Sequence, residues 1–260
     1  MEWKTLTSPA NPLVKRYAAL QRTQQRAATG LFLAEGASLV RECVNERIAL
    51  EALFVRTGAQ ERHAALLESV RCEIVLASDA VLAKLSSLKS APDVVAVCRV
   101  PAYCESLRAE GRYIVCEQVQ DPVNIGAVIR SAAAFRIDGV VLCGGCDPFA
   151  PKVLRGSMGA VLKVPLHRFD SFESAAAALH ERGLVLYAAM LDRGAARIDA
   201  ADFTRGGAVA VGNEGAGLSA RAAALCDGRV YIPIAPQVES LNAAVAASII
   251  MWEMSGRDRG

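Results

Sequence analysis

The first hundred residues alternate short apolar runs with amphipathic stretches. Runs at 31–34, 53–56, 73–76 and 94–100 read as strands, and the segments 37–45, 61–70 and 79–85 read as helices between them. Upstream, residues 13–25 predict one basic amphipathic helix after Pro12, with Val14, Tyr17, Ala18 and Leu20 as its apolar positions. Residues 101–111, rich in Glu, Arg and Pro, read as a linker. Beyond it the pattern predicts strands at 113–116, 139–142, 164–166, 185–189, 208–211 and 230–232, with helices between them. The expected fold class is therefore α/β, with a first domain over 1–100 and a second over 112–260 built on a mainly parallel sheet. Such sheets hold ligands at the carboxyl ends of their strands.

A chain of 260 residues accommodates either one large or two ordinary domains. Its apolar fraction of 53% and few aromatics suit an α/β protein rich in Ala, Val and Leu. No run of 18 uncharged apolar residues and no signal-peptide core opens the chain, so a cytoplasmic protein with no membrane partner is expected. The net charge of +2 says little, but its distribution says more. Residues 1–30 hold five cations, Lys4, Lys15, Arg16, Arg22 and Arg26, against the single acid Glu2, a net +4. Such a segment suits phosphate contact, and equally a solvated amphipathic helix. The eight cysteines sit mostly in apolar runs, as buried thiols do in a reducing compartment. Cys143 and Cys146 flank two glycines at metal or redox spacing. No second pair completes them, and His63, His167 and His180 are scattered, so no metal is expected.

Several common chemistries are excluded. No Gly-x-Gly-x-x-Gly joins a first strand to a helix, no Gly-x-x-x-x-Gly-Lys-Ser/Thr cradles phosphate, and no Gly-x-Ser-x-Gly elbow is present. The glycine motif of Rossmann methyltransferases is missing as well.

Three other segments carry candidate chemistry. The first runs from Asp121 and Pro122 through Asn124 to Arg130 and follows an apolar strand. Asn124 is placed to cap a helix there, and Arg130, six residues on, lies about 120° away around it. The second, Gly212, Asn213, Glu214, Gly215, Ala216, Gly217, Leu218 and Ser219, follows another strand; without a Cβ, Gly212 permits close approach of a ligand. The third places Glu239, Ser240, Leu241 and Asn242 before a helix of small residues from Ala243 to Ser248. Ser240 or Asn242 can cap that helix, and its small face lets another helix or a subunit come close.

Together, and in this order, these segments resemble the three signature motifs of the SpoU (TrmH) branch of the SPOUT RNA methyltransferases. The resemblance covers roughly 112–253 and rests on Asn124 and Arg130, on Gly212, Glu214 and Gly217 to Ser219, and on Ser240 to Asn242. Residues 8–36 resemble, over a shorter span, the L30e-like substrate-binding domain that precedes such catalytic domains. The resemblance implies an α/β knot (a deep trefoil knot) and a pocket for S-adenosylmethionine (AdoMet) held by the backbone of Gly212, Ile232 and Leu241. It makes Arg130 the catalytic arginine, with Asn124, Glu214, Ser240 and Asn242 around it. An arginine stays protonated throughout the physiological pH range, so phosphate binding and orientation suit it better than a base role. In the family pattern Glu214 organises the site and can steady Arg130. The segment 144–159 resembles the family's middle stretch, which brings Arg155 and Ser157 near RNA, beside Lys15, Arg16, Arg22 and Arg26. One departure is Pro236, beside Ala235, where the family often has glycine.

The implied activity is methyl transfer to a ribose 2′-hydroxyl. The N-terminal domain, in place of a basic C-terminal helical tail of the tRNA type, favours ribosomal RNA of the 23S type over tRNA. A tRNA substrate, a non-catalytic RNA-binding protein, and methylation of a base nitrogen are the rival readings. The family further implies a homodimer in which Arg130 of one subunit completes the other's site; the helix after Asn242 suits that role and suits a monomer's core equally.

Overall fold

The computed structural model describes residues 3–256, which form two compact units, each with its own sheet. The first unit comprises residues 3–102 together with Phe149–Arg155. Its elements are β1 (Lys4–Leu6), α1 (Pro12–Ala18), α2 (Thr23–Thr29), β2 (Leu31–Glu35), α3 (Ala37–Asn45), β3 (Leu50–Arg56), α4 (Ala64–Ser69), β4 (Glu73–Ala77), α5 (Asp79–Leu85) and β5 (Val94–Arg99). The sheet order is β1-β4-β3-β5-β2, parallel through β1, β4 and β3, with β5 antiparallel to both its neighbours. Phe54, Leu82, Leu85 and Val95 lie in its core beside Val14 and Tyr17, whose ring meets Phe54 edge-on.

The single helix expected over 13–25 is instead two. A 3-10 turn at Ala19–Gln21 and an extended Arg22 (φ −96°, ψ 135°) separate α1 from α2. Tertiary bonds reward the break. The Gln21 amide donates to the carbonyls of Lys84 and Leu85, and the Arg26 guanidinium donates to the Leu20 carbonyl at 2.7 Å. An intact helix gives neither contact.

The second unit, Tyr103–Pro148 with the chain from Gly156, carries β6 (Arg112–Glu117), α6 (Pro122–Ala134), β7 (Gly139–Cys143), β8 (Leu166–Phe169), α8 (Phe172–Glu181) and β9 (Leu186–Ala189). These are followed by β10 (Ala196–Arg197), β11 (Gly207–Val211), α9 (Ala220–Ala224), β12 (Gly228–Tyr231) and α10 (Ala243–Met254). A short α7 (Pro151–Gly156) runs from the first unit's segment to the start of this one. All seven strands are parallel, in the order β10-β12-β9-β11-β6-β7-β8. Every residue of β7 and β11 is buried, as expected of strands covered on both faces. Two late strands enter gaps between strands already laid down: β11 between β6 and β9, and β12 between β9 and β10.

The strand expected at 164–166 lies at Leu166–Phe169, because a 3-10 turn holds the preceding residues and the Val164 N–H donates to the Ala160 carbonyl. The two-residue β10 has no apolar pattern to announce it. Pairing with β12 alone creates it. The small-residue face of α10 is filled by the same chain: Ala244 and Ala247 are buried, and Ser248 Oγ lies 2.8 Å from Ser131 Oγ of α6. No helix among the described residues is long and apolar enough to cross a membrane.

Cys43, Cys98, Cys116 and Cys143 are buried, and burial pushes the Cys116, Cys143 and Cys226 thiols up to about 12 and Cys72 to about 11. Among the described residues Cys104 is the exposed cysteine, and Cys146 is half-buried. A thiol reagent at pH 8 is therefore expected to show one fast equivalent in the native protein, lost in Cys104→Ser. Several fast equivalents contradict this burial.

Candidate functional site

The candidate site lies at the carboxyl ends of β9, β11 and β12, where the strand order places the late insertions. A cleft of about 540 Å³ opens there. Its walls are the chain after β9 (Met190, Leu191), the 211–218 loop after β11, and the 230–243 chain between β12 and α10. Parallel sheets offer ligands this edge because the connections leave a crevice between them.

The loop after β11 is shaped by its own hydrogen bonds. Asn213 and Gly217 exchange main-chain bonds of 3.0 and 2.9 Å, and Asn213 Oδ1 accepts from the N–H of Gly215 and Ala216. Gly212 is required by this closure. A Cβ there would stand 2.1 Å from the Gly217 carbonyl carbon and the Leu218 nitrogen. The missing Cβ thus also makes room for the loop's own backbone, while Gly212 lines the cleft. Ser219 caps α9, and its N–H and hydroxyl donate to Glu117 at the end of β6.

One polar chain crosses from this loop to the two helices. Asn242, the cap of α10, accepts from the N–H of Ala244 and Val245. With its oxygen so used, its Nδ2 donates to Asn124 Oδ1 at 3.0 Å, and Asn124 Nδ2 donates to Glu214 Oε1 at 2.9 Å. Each amide is oriented by the next, ending on the carboxylate. Glu214 also accepts from the N–H of Gln120 (3.1 Å) and Asp121 (2.9 Å). Desolvation pushes the Glu214 carboxyl up. The hydrogen bonds from Asn124, Asp121 and Gln120 outweigh it and hold the group below the usual carboxylate range.

Several expectations are corrected here. Asn124 does not cap α6. Asp121 does, accepting from the Val123 N–H with Pro122 in the first turn, while Asn124 is buried one turn inside. An acid followed by proline is a helix-start signal that marks position 121 directly. Asn242, and not Ser240, caps α10; Ser240 lines the cleft with Gly212, Ile232 and Leu241. Glu214 is bonded to Asn124 and not to Arg130, which stands on the exposed side of α6 and is not among the residues lining the cleft. Pro236 fits its loop as the second residue of a turn closed by Val238 N–H and the Ala235 carbonyl. Met190 and Leu191 line the cleft without having been anticipated; only the rule that ligands sit at strand ends pointed to them.

In the first unit the expected RNA contacts divide. Lys15 and Arg22 are exposed, and Arg16 is exposed but paired with Glu51 at 3.2 Å. Arg26 is 3% exposed, its guanidinium bonded to the Leu20 carbonyl and to Thr23 Oγ1, so it cannot reach a phosphate. Arg155 donates to Ser87 Oγ at 2.8 Å and lies 3.8 Å from the buried Glu35 carboxylate, which Ser86 and Ser87 also bond. Ser157 is fully buried. Neither presents a free RNA contact. Arg22→Ala is expected to weaken RNA binding and flatten its salt dependence at unchanged melting temperature, whereas Arg26→Ala lowers the melting temperature. The opposite pattern contradicts this division.

The cleft's lining suits a cationic nucleoside such as AdoMet. Ile198, Val211, Ile232, Ile234 and Leu241 offer apolar surface, the loop segments offer main-chain groups, and Glu214 and Glu239 offer negative charge. A model of the SpoU rRNA methylase family matches residues 111–252, and a model of the MRM3-like substrate binding domain matches residues 11–96. The Bacillus subtilis 23S rRNA (guanosine(2553)-2'-O)-methyltransferase RlmP is 32% identical over 97% of this chain and 100% of that protein. An uncharacterized tRNA/rRNA methyltransferase of Synechocystis is 35% identical over 96% of this chain and 92% of that protein. The SpoU methyltransferase AviRb of Streptomyces viridochromogenes, solved in complex with the cofactor AdoMet, superposes with a TM-score of 0.88 at 29% identity, over 94% of this chain and 97% of that one. The AdoMet-bound rRNA methyltransferase of Sinorhizobium meliloti gives 0.85 at 27% identity, over 96% and 97%. With the catalytic half matched by the family model and relatives aligned almost end to end, the chain belongs to the SpoU rRNA methylase family.

Proposed function

We propose that this protein is a cytoplasmic enzyme that transfers the methyl group of AdoMet to a ribose 2′-hydroxyl of ribosomal RNA. The observation that carries the reading is the cleft at the strand ends with the Asn242–Asn124–Glu214 chain on its rim. The bound cofactor supplies an already activated methyl, so the protein's task is positioning. Gly212, Ile232 and Leu241 hold the cofactor. Glu214, Ser240 and Asn242 form the polar rim that receives the ribose, the buried Asn124 holds Asn242 and Glu214 in place behind it, and Arg130 orients the adjacent phosphate. The first domain, 1–100, takes up RNA through Lys15, Arg16 and Arg22, and the second, 112–260, performs the transfer. Late insertion of β11 and β12 supports a knotted path for this second domain. Labelled methyl transfer to purified rRNA and tRNA, followed by nuclease digestion, tests the reading. A 2′-O-methylated nucleotide in rRNA is expected; labelled base, labelled tRNA alone, or no label overturns it.

The working unit in this reading is a homodimer. Arg130 is exposed and outside its own chain's cleft, and the neighbouring surfaces of α6 and α10 leave Val123, Val245 and Trp252 exposed. Mixing Arg130→Ala with Asn242→Ala protein, each inactive alone, is expected to restore about a quarter of wild-type turnover through random pairing in which one of the two sites is intact. No recovery despite proven subunit exchange contradicts shared sites.

A further inference from the structure

The Cys143–Cys146 turn, whose spacing suggested metal or redox chemistry, works through its backbone. Gly144 and Gly145 have φ of +72° and +80°, and both press on the chain leaving β6. The Gln118 N–H donates to the Cys143 carbonyl at 3.0 Å, and the Cys146 N–H donates to the Val119 carbonyl at 2.9 Å. A Cβ on Gly145 would stand 2.3 Å from that Val119 oxygen, and one on Gly144 would stand 2.2 Å from Gln118 Nε2. No bulkier turn fits this seat. Held there, Gln118 takes a left-handed backbone (φ +50°) that non-glycine residues adopt only when their surroundings impose it. Its carbonyl then accepts from Asn213 Nδ2 at 3.0 Å, and the N–H groups of Gln120 and Asp121 meet the Glu214 carboxylate.

We infer that Gly144 and Gly145 are positioning residues for Glu214: they hold 118–119 in the conformation that aims two main-chain donors at its carboxylate. The inference rests on the proposed role of Glu214 in methyl transfer. It also accounts for the two glycines between the cysteines, since a metal site needs no such contact with residues 118–119.

The experiment pairs kinetics with hydrogen exchange of the cofactor-free protein. Gly145→Ala is expected to lower kcat on the order of 100-fold, the scale of a site displaced by about an ångström, with KM for RNA unchanged. Combined with Glu214→Ala, it is expected to add nothing to the loss that Glu214→Ala causes alone. In mass-spectrometric exchange, the peptide spanning 118–124 is expected to be slow in the native protein and fast in both variants, while β6 and β11 stay protected. Should Gly145→Ala fail to fold, Gly144→Ala, whose Cβ meets only a flexible amide, is expected to give the same changes at smaller size. Multiplying losses in the double variant, or unchanged exchange of 118–124, overturns the inference. Faster exchange of that peptide in a protein that methylates no RNA overturns the proposed function and leaves the positioning role standing.

Discussion

Asn124→Asp is expected to abolish methyl transfer and to destabilise the protein in a pH-dependent way. Asn124 is buried and acts as an adapter, accepting from Asn242 on one side and donating to Glu214 on the other. An aspartate keeps the first bond and turns the second into two carboxylates at contact distance. A fully buried charge without a partner costs about 3–5 kcal/mol, and the exposure of Glu214 reduces this to roughly 2–3 kcal/mol. The two carboxyls then share a proton, so one folded-state pKa rises above its unfolded value. The penalty is full above that raised pKa and fades as pH falls through it. Melting temperatures measured from pH 8 down to about pH 4, the unfolded carboxylate value, should therefore converge on those of the native protein. In the native protein the Glu214 pKa is depressed, so its stabilising contribution persists above the unfolded carboxylate range and is lost only as pH falls through the depressed value. A pH-independent deficit in Asn124→Asp shows that position 124 does not face the carboxylate.

Gly212→Ala is expected to disrupt the cleft proposed to hold AdoMet. The clash is with main chain, the 217–218 peptide, which no rotamer change relieves. The Asn213–Gly217 pairing has to open, and with it the loop that supplies the cleft wall from Val211 to Leu218. Overpacking of this kind costs about 1–3 kcal/mol, and AdoMet affinity should fall more than tenfold, about 1.4 kcal/mol. Calorimetry and a melting curve measure both. Gly194→Ala, where a Cβ meets open space outside the cleft, serves as the control. Equal affinities in the two variants contradict the packing argument.

The order of residues along the chain already carried the fold class and the three segments at the site. Apolar strand runs, helical spacing and the polar turns after β6, β11 and β12 are local properties, and a parallel sheet brings the strand ends together whatever the details. It also determined that Asn124 and Arg130 face different ways, since six residues along a helix fix that angle. The tertiary structure alone decided the strand order and the break between α1 and α2. It also decided which of several cations stayed available. Arg26 and Arg155 read like Arg22 along the chain, yet the first is bonded to a carbonyl six residues back and the second lies beside Glu35, 120 positions earlier in the chain. The same holds for Gly144 and Gly145, whose purpose depends on residues 118–119. Hydrophobic periodicity reports burial along one element. It carries no information on which distant carbonyl, carboxylate or backbone turn will lie opposite, and those pairings decide whether a polar residue serves the site or the scaffold.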